Sequence, residues 1–107
     1  GYSFKENCPD IRNTKVHDIV KYLAFSECSV DIYDPWVDQA SKDQMSDINF
    51  IKSPKENYYD VVIIAVGHKE FIDLSPNEIR GYCNSEIDSI IYDLKYVLPK
   101  NMSDLRL

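Results

Sequence analysis

Val16, Ile19, Val20, Leu23 and Ala24 fall at i, i+3, i+4, i+7 and i+8, a spacing that lays them on one helix face and predicts a helix over Thr14 to Phe25. Pro9 upstream and the side-chain oxygen of Asn13 or Thr14 mark its start, because such an oxygen can accept from the unpaired amides of a first turn. Ser29 to Tyr33 reads as a short strand broken by Asp34-Pro35. Val37 to Ser46 reads as a loop or short helix, Ile48 to Ile51 as a weak strand, and Ser53-Pro54 as a turn. The clearest signal is Val61-Val62-Ile63-Ile64-Ala65-Val66, a largely β-branched run without polar alternation and followed by Gly67, which suits a parallel strand covered on both faces. Ser75 to Cys83 follows as a helix, with Ser75 its cap and Pro76 at its first position. Ser89 to Tyr92 makes a last buried strand, which the chain leaves through Asp93-Leu94-Lys95.

This order of helices and strands belongs to an α/β fold, a Rossmann-like open parallel sheet with flanking helices. A strand before the first helix is missing from the pattern. The chain opens on Gly1-Tyr2-Ser3-Phe4-Lys5, a glycine-led loop of the kind that leaves the carboxyl end of a buried strand. The expectation is that residues 1–107 are a piece of something longer. A strand just before Gly1 would sit in the middle of the sheet, and without it the neighbouring strands are left unpaired or take a partner chain.

With 107 residues the chain suits one domain, and a net charge of −6 disfavours non-specific adhesion to nucleic acid or an anionic membrane. No run is long and apolar enough for a membrane span or a signal peptide, the longest being Val61 to Val66. Cys8, Cys28 and Cys83 are odd in number and widely spaced, which favours buried thiols in a reducing, cytoplasmic compartment over disulfides. His17 and His68 stand far apart and away from any cysteine pair, so a metal site is not expected. Charge is unevenly placed: residues 1–26 carry +1, 27–60 carry −5 and the rest −2. The first loop is therefore the place most comfortable for an anion, such as phosphate oxygens.

In an open parallel sheet ligands sit beyond the carboxyl ends of the strands. The segments expected at that edge are Gly1 to Arg12, Asp34 to Trp36, Gly67 to Lys69 and Asp93 to Tyr96. Phe4 can pack on a sugar or base face, Lys5 can donate to hydroxyl or phosphate oxygen, and Arg12 lies just before a helix start, where anions are favoured. Each has a plainer reading: Lys5 as a surface lysine, Arg12 as a partner of Asp10 or Asp34. For Cys8 a buried thiol is preferred over a nucleophile, since no base is placed beside it. Asp34 mimics the ribose-binding acid of a dinucleotide fold, but the chain holds no G-x-G-x-x-G. His68 is read as closing the strand exit or bonding a carboxylate rather than touching a ligand, and Trp36 as a packing or interface aromatic rather than a stacking platform.

The opening Gly1-Tyr2-Ser3-Phe4-Lys5-Glu6-Asn7-Cys8-Pro9-Asp10-Ile11-Arg12-Asn13-Thr14 resembles the G-x-x-F-K-x-x-x-x-D-x-R-x-[ST] segment that begins the C-terminal domain of the UDP-glucose/GDP-mannose dehydrogenase family. Val30 to Pro35, Asp60 to Ala65 and Ile91 to Lys95 agree with later stretches in the same order. The wording of F-K-E-N-C-P-D-I-R-N-T, V-G-H-K-E-F and Y-D-L-K-x-V-L-P is most similar to the bacterial branch acting on UDP-N-acetylhexosamines.

The resemblance implies a four-electron oxidation of a sugar C6 alcohol to a carboxylate with two NAD+, through a cysteine-bound thiohemiacetal and thioester, for surface polysaccharides such as capsule or O-antigen. It also implies that the catalytic cysteine and the NAD-binding fold lie in other domains, so that Cys8 is not the nucleophile and this chain alone is inactive. Phe4 and Lys5 match the family's substrate-contacting pair, and Arg12 matches the arginine that reaches toward the cofactor across a domain cleft. Where much of the family has D-x-R, this chain has Asp93-Leu94-Lys95, so a point-charge ammonium at Lys95 replaces a bidentate fork. The expected partners are a UDP-sugar, the N-terminal and central domains of the same enzyme, and further copies of it.

Two other readings compete. A freestanding, non-catalytic nucleotide-sugar-binding or regulatory module would bind UDP-sugar as the isolated chain. A receiver-like signalling domain would need an acidic cluster and a phosphorylatable aspartate on the central strand, and neither can be placed.

Overall fold

The computed structural model describes residues 1–12 and 14–106, and the alternative that Asn13 caps the first helix lies outside them. Helix α1 runs over Val16–Phe25 and is followed by β1 (Asp31–Ile32), α2 (Gln39–Asp43), β2 (Asn49–Phe50), β3 (Val61–Ile64), α3 (Lys69–Asp73), α4 (Pro76–Gly81), β4 (Ile90–Asp93), a 3-10 turn at Lys100–Met102 and β5 (Leu105–Arg106). All strand pairings are parallel, in two separate sheets ordered β1-β2 and β3-β4-β5. Val61 stands opposite Ile90 and Ile64 opposite Asp93, while Asp31 stands opposite Asn49.

Among the described residues, the remaining edges of β1 and β3 have no ladder partner. Both border an apolar cleft of about 660 Å³, which Gly1 and the α1 residues Val16, Ile19, Val20 and Leu23 also line. This is the unpaired arrangement expected of a sheet without its middle strand. It also explains why the predicted stripe of α1 is only half-buried, with no residue of the helix fully covered. The β3 run departs from expectation for the same reason. Val61 is exposed and Val62 and Ile63 are half-buried, with full cover only at Ile64, Ala65 and Val66.

The main core is in the β3-β4-β5 half, where Ile64, Ile79, Cys83, Ile91 and Leu98 pack together against half-buried Val62, Leu74, Val97 and Met102. Ser75 caps α4 as predicted, its hydroxyl accepting from the Glu78 N–H at 3.1 Å, with Pro76 at the first position. At α1 the Thr14 hydroxyl accepts from the Val16 N–H at 3.2 Å. Every predicted element is present, most in shorter form and the last strand shifted by one residue to Ile90–Asp93, while α3, the 3-10 turn and β5 are additional. Asp104 fixes β5 beside β4: its carboxylate accepts from the Ile91 N–H at 2.8 Å and from Arg80 at 3.0 Å.

Candidate functional site

The carboxyl ends of β1, β3 and β4 meet the opening loop at one edge of the molecule. Asp34, two residues past β1 and fully buried, gathers the loop's backbone. Its Oδ2 accepts from the N–H groups of Tyr2 (2.7 Å) and Ser3 (2.9 Å), and its Oδ1 accepts from that of Trp36 (2.8 Å). Burial opposes the charge on this carboxylate, but the bonds from Tyr2, His68, Ser3 and Trp36 together outweigh it and hold the carboxyl below the usual carboxylate range.

His68 follows β3 and is also fully buried. Its Nε2 lies 2.9 Å from Asp34 Oδ2 and 3.0 Å from Ser3 Oγ, and its Nδ1 accepts from the Asn7 N–H at 2.9 Å. The bond to a carboxylate is the plainer reading of this histidine. Trp36 stacks on the imidazole at 6.0 Å and donates its indole N–H to Glu70 at 3.0 Å, a packing role again. Asn7 takes a left-handed backbone (φ 54°), and its side-chain oxygen accepts from the Lys69 N–H at 2.7 Å. Gly1 approaches so closely that a Cβ there would stand 2.8 Å from Val66 Cβ, which no side chain tolerates.

Asp93 does for the last loop what Asp34 does for the first. Buried at the end of β4, it accepts from the backbone N–H groups of Lys95 (3.1 Å), Val97 (3.2 Å) and Leu98 (2.8 Å). That cradle carries the chain through Tyr96 in a left-handed conformation (φ 55°) and turns Lys95 back toward the first loop.

Between these loops lies a small cleft of about 140 Å³ lined by Phe4, Lys5 and Lys95, together with Lys15, Thr14 and Glu6. Three of the expected site residues are thus brought together. Arg12 is not among the lining residues. Its guanidinium forks onto Asp10 at 3.0 and 3.1 Å and is largely exposed, one of the two pairings foreseen for it. Lys15, at the start of α1, is a lining residue that lies outside the segments expected at this edge. Lys5, Lys15 and Lys95 against Glu6 make the cleft locally cationic in a chain of net charge −6. Such a cleft can hold an anion with several oxygens and leaves Phe4, half-exposed, free to pack on a flat or saccharide face. A dinucleotide cradle does not fit: glycine stands only at 1, 67 and 81, and the chain holds no G-x-G-x-x-G.

The model for the UDP-glucose/GDP-mannose dehydrogenase family, UDP binding domain, matches residues 1–100. The UDP-N-acetyl-D-glucosamine 6-dehydrogenase of Salmonella typhi is 47% identical over all of this chain and 25% of its own length, and that of Pseudomonas aeruginosa is 46% identical over the same shares. Protein CapL of Staphylococcus aureus is 32% identical over 92% of this chain. The chain spans about a quarter of the length of the curated relatives it matches. In fold it is similar to the crystal structure of NDP-N-acetyl-D-galactosaminuronic acid dehydrogenase from Methanosarcina mazei Go1, with a TM-score of 0.77 over 95% of this chain and 21% of that chain at 18% identity.

Proposed function

This chain belongs to the UDP-glucose/GDP-mannose dehydrogenase family, and on that premise we propose that it is the UDP-sugar-binding, C-terminal domain of a longer NAD-dependent UDP-N-acetylhexosamine 6-dehydrogenase. The whole enzyme oxidises the C6 alcohol of its sugar to a carboxylate, in the cytoplasm and as a homo-oligomer, to supply surface polysaccharide synthesis. The observation that carries the reading is the cleft that joins Phe4 and Lys5 from the first loop to Lys95 from the last.

Within it, Lys5 and Lys95 offset the diphosphate charge while Phe4 covers one face of the sugar or base. Arg12, outside the cleft and exposed, reaches toward the cofactor held by another domain of the enzyme. No residue here serves as nucleophile or base, and the oxidation itself belongs to domains outside residues 1–107. The wider cleft between β1 and β3 supports the same division, since it suits one more parallel strand supplied by such a longer chain.

The test is NADH formation by the full-length protein with UDP-N-acetylglucosamine, UDP-N-acetylmannosamine, UDP-glucose or GDP-mannose. Turnover of a UDP-N-acetylhexosamine ahead of the others is expected. Turnover of none of the four, with unaltered folding, would contradict the proposal.

A further inference from the structure

The imidazole of His68 has its protonation fixed by its neighbours. The Asn7 N–H points at Nδ1, so that nitrogen carries no hydrogen, and the ring proton lies on Nε2 between Asp34 Oδ2 and Ser3 Oγ. The Ser3 hydroxyl in turn donates to the Lys5 carbonyl at 3.1 Å, which leaves its lone pairs to the ring. One neutral histidine therefore holds the opening loop on both sides of Phe4 and Lys5, at Ser3 and at Asn7. Asp34 holds the same loop through the Tyr2 and Ser3 N–H groups. Trp36 and Phe71, with ring centres 6.0 and 5.3 Å away, keep the imidazole in place. Most of this pair's bonds go to the loop and few to the strands, so loosening it displaces Phe4 and Lys5 before it disturbs the core.

We propose that His68, as its neutral Nε2–H tautomer, and Asp34 are positioning residues that give the Phe4–Lys5 loop its ligand-binding shape. The inference deepens the nucleotide-sugar reading of the cleft and rests on it. Two substitutions separate the two sides of the ring. The oxygen of an asparagine reaches about as far as Nδ1 and keeps an acceptor for Asn7, while Asp34 retains its backbone donors. The amide nitrogen of a glutamine reaches about as far as Nε2 and keeps a donor to Asp34, but leaves the Asn7 N–H without a partner.

In the full-length protein, His68→Gln is expected to raise KM for the UDP-sugar about tenfold, the order expected for one buried donor left unpaired, with kcat changed less than about twofold. His68→Asn is expected to stay within about threefold of the parent, and amide exchange at Asn7 should quicken in the glutamine variant alone. Nitrogen NMR of the parent protein should show Nδ1 bare and Nε2 protonated at neutral pH. If His68→Gln does not fold, Ser3→Ala removes the link from ring to Lys5 carbonyl at little change in volume and should raise KM about threefold.

An active enzyme whose His68→Gln or Ser3→Ala variant keeps the parent KM overturns the proposal, as does a proton on Nδ1. If the parent protein binds no UDP-sugar, the reading of the cleft fails instead, while the tautomer and the Asn7 exchange still decide whether the pair shapes the loop.

Discussion

The two sheets are built on different terms. In the β3-β4-β5 half, β3 and β4 pair over four residues each and cover a core of Ile64, Ile79, Cys83, Ile91 and Leu98. In the other half, β1 and β2 pair over two residues each, and polar side chains supplement the ladder: Asp31 accepts from Asn49 at 2.7 Å and from Tyr59 at 2.8 Å. One half shares a single apolar core, while the other sets specific bonds beside the separately buried Tyr2, Ile32 and Val37 around an open cleft. The candidate site draws on both, and the loop from Gly1 to Arg12 bridges them, tied to Asp34 beyond β1 and to His68 beyond β3. Order at the site therefore depends on the bridge as much as on either sheet.

The sharpest way to break this contrast is the same truncation in each half. Ile91→Ala should cost roughly 4 kcal/mol of stability, because Ile91 is wholly enclosed, whereas Ile32→Ala should cost about 2 kcal/mol, because its side chain already borders the cleft. Urea unfolding of both variants measures the difference, and equal costs would mean that the first half has a core of its own.

Next in size is Asp34→Asn, which weakens the bridge by roughly 1–3 kcal/mol at neutral pH through the loss of charge-assisted bonds. The Asp34 carboxyl titrates lower in the folded chain than in the unfolded one, so its stabilisation is complete above the ordinary carboxylate range and is lost as pH falls through the folded value. The variant should accordingly lose less stability on acidification than the parent, as thermal unfolding between neutral and acid pH would show. The smallest effect is expected from Arg12→Ala: the exposed pair with Asp10 touches neither half, so the unfolding temperature should not move, while KM for NAD in the full-length enzyme should rise.

Much of this was legible in the residues. The Val61 run, the α1 spacing and the Ser75-Pro76 start are local signals, and each marks an element in the structure. The strand missing from the pattern has its counterpart in the unpaired edges of β1 and β3. The additional elements were too brief to have a period: α3 covers five residues and β5 two. Of the candidate site, Phe4, Lys5 and Lys95 were singled out by the motif and the strand-end rule, and the fold brings them to one cleft. The bonds that shape their loop were not, because Ser3, Asp34 and His68 lie 31 to 65 positions apart along the chain, beyond any spacing rule. Lys15 lies at the same edge, but only the fold shows that α1 begins against the cleft.

The binding of UDP-sugar to the cleft is tested most directly by calorimetric titration of the full-length protein and its Lys5→Ala variant. Loss of the ammonium should weaken affinity by roughly 1.5–3 kcal/mol, the range for a charge-assisted bond, with the unfolding temperature unchanged. Equal affinities in the two proteins would place the diphosphate elsewhere and contradict the assignment of this cleft.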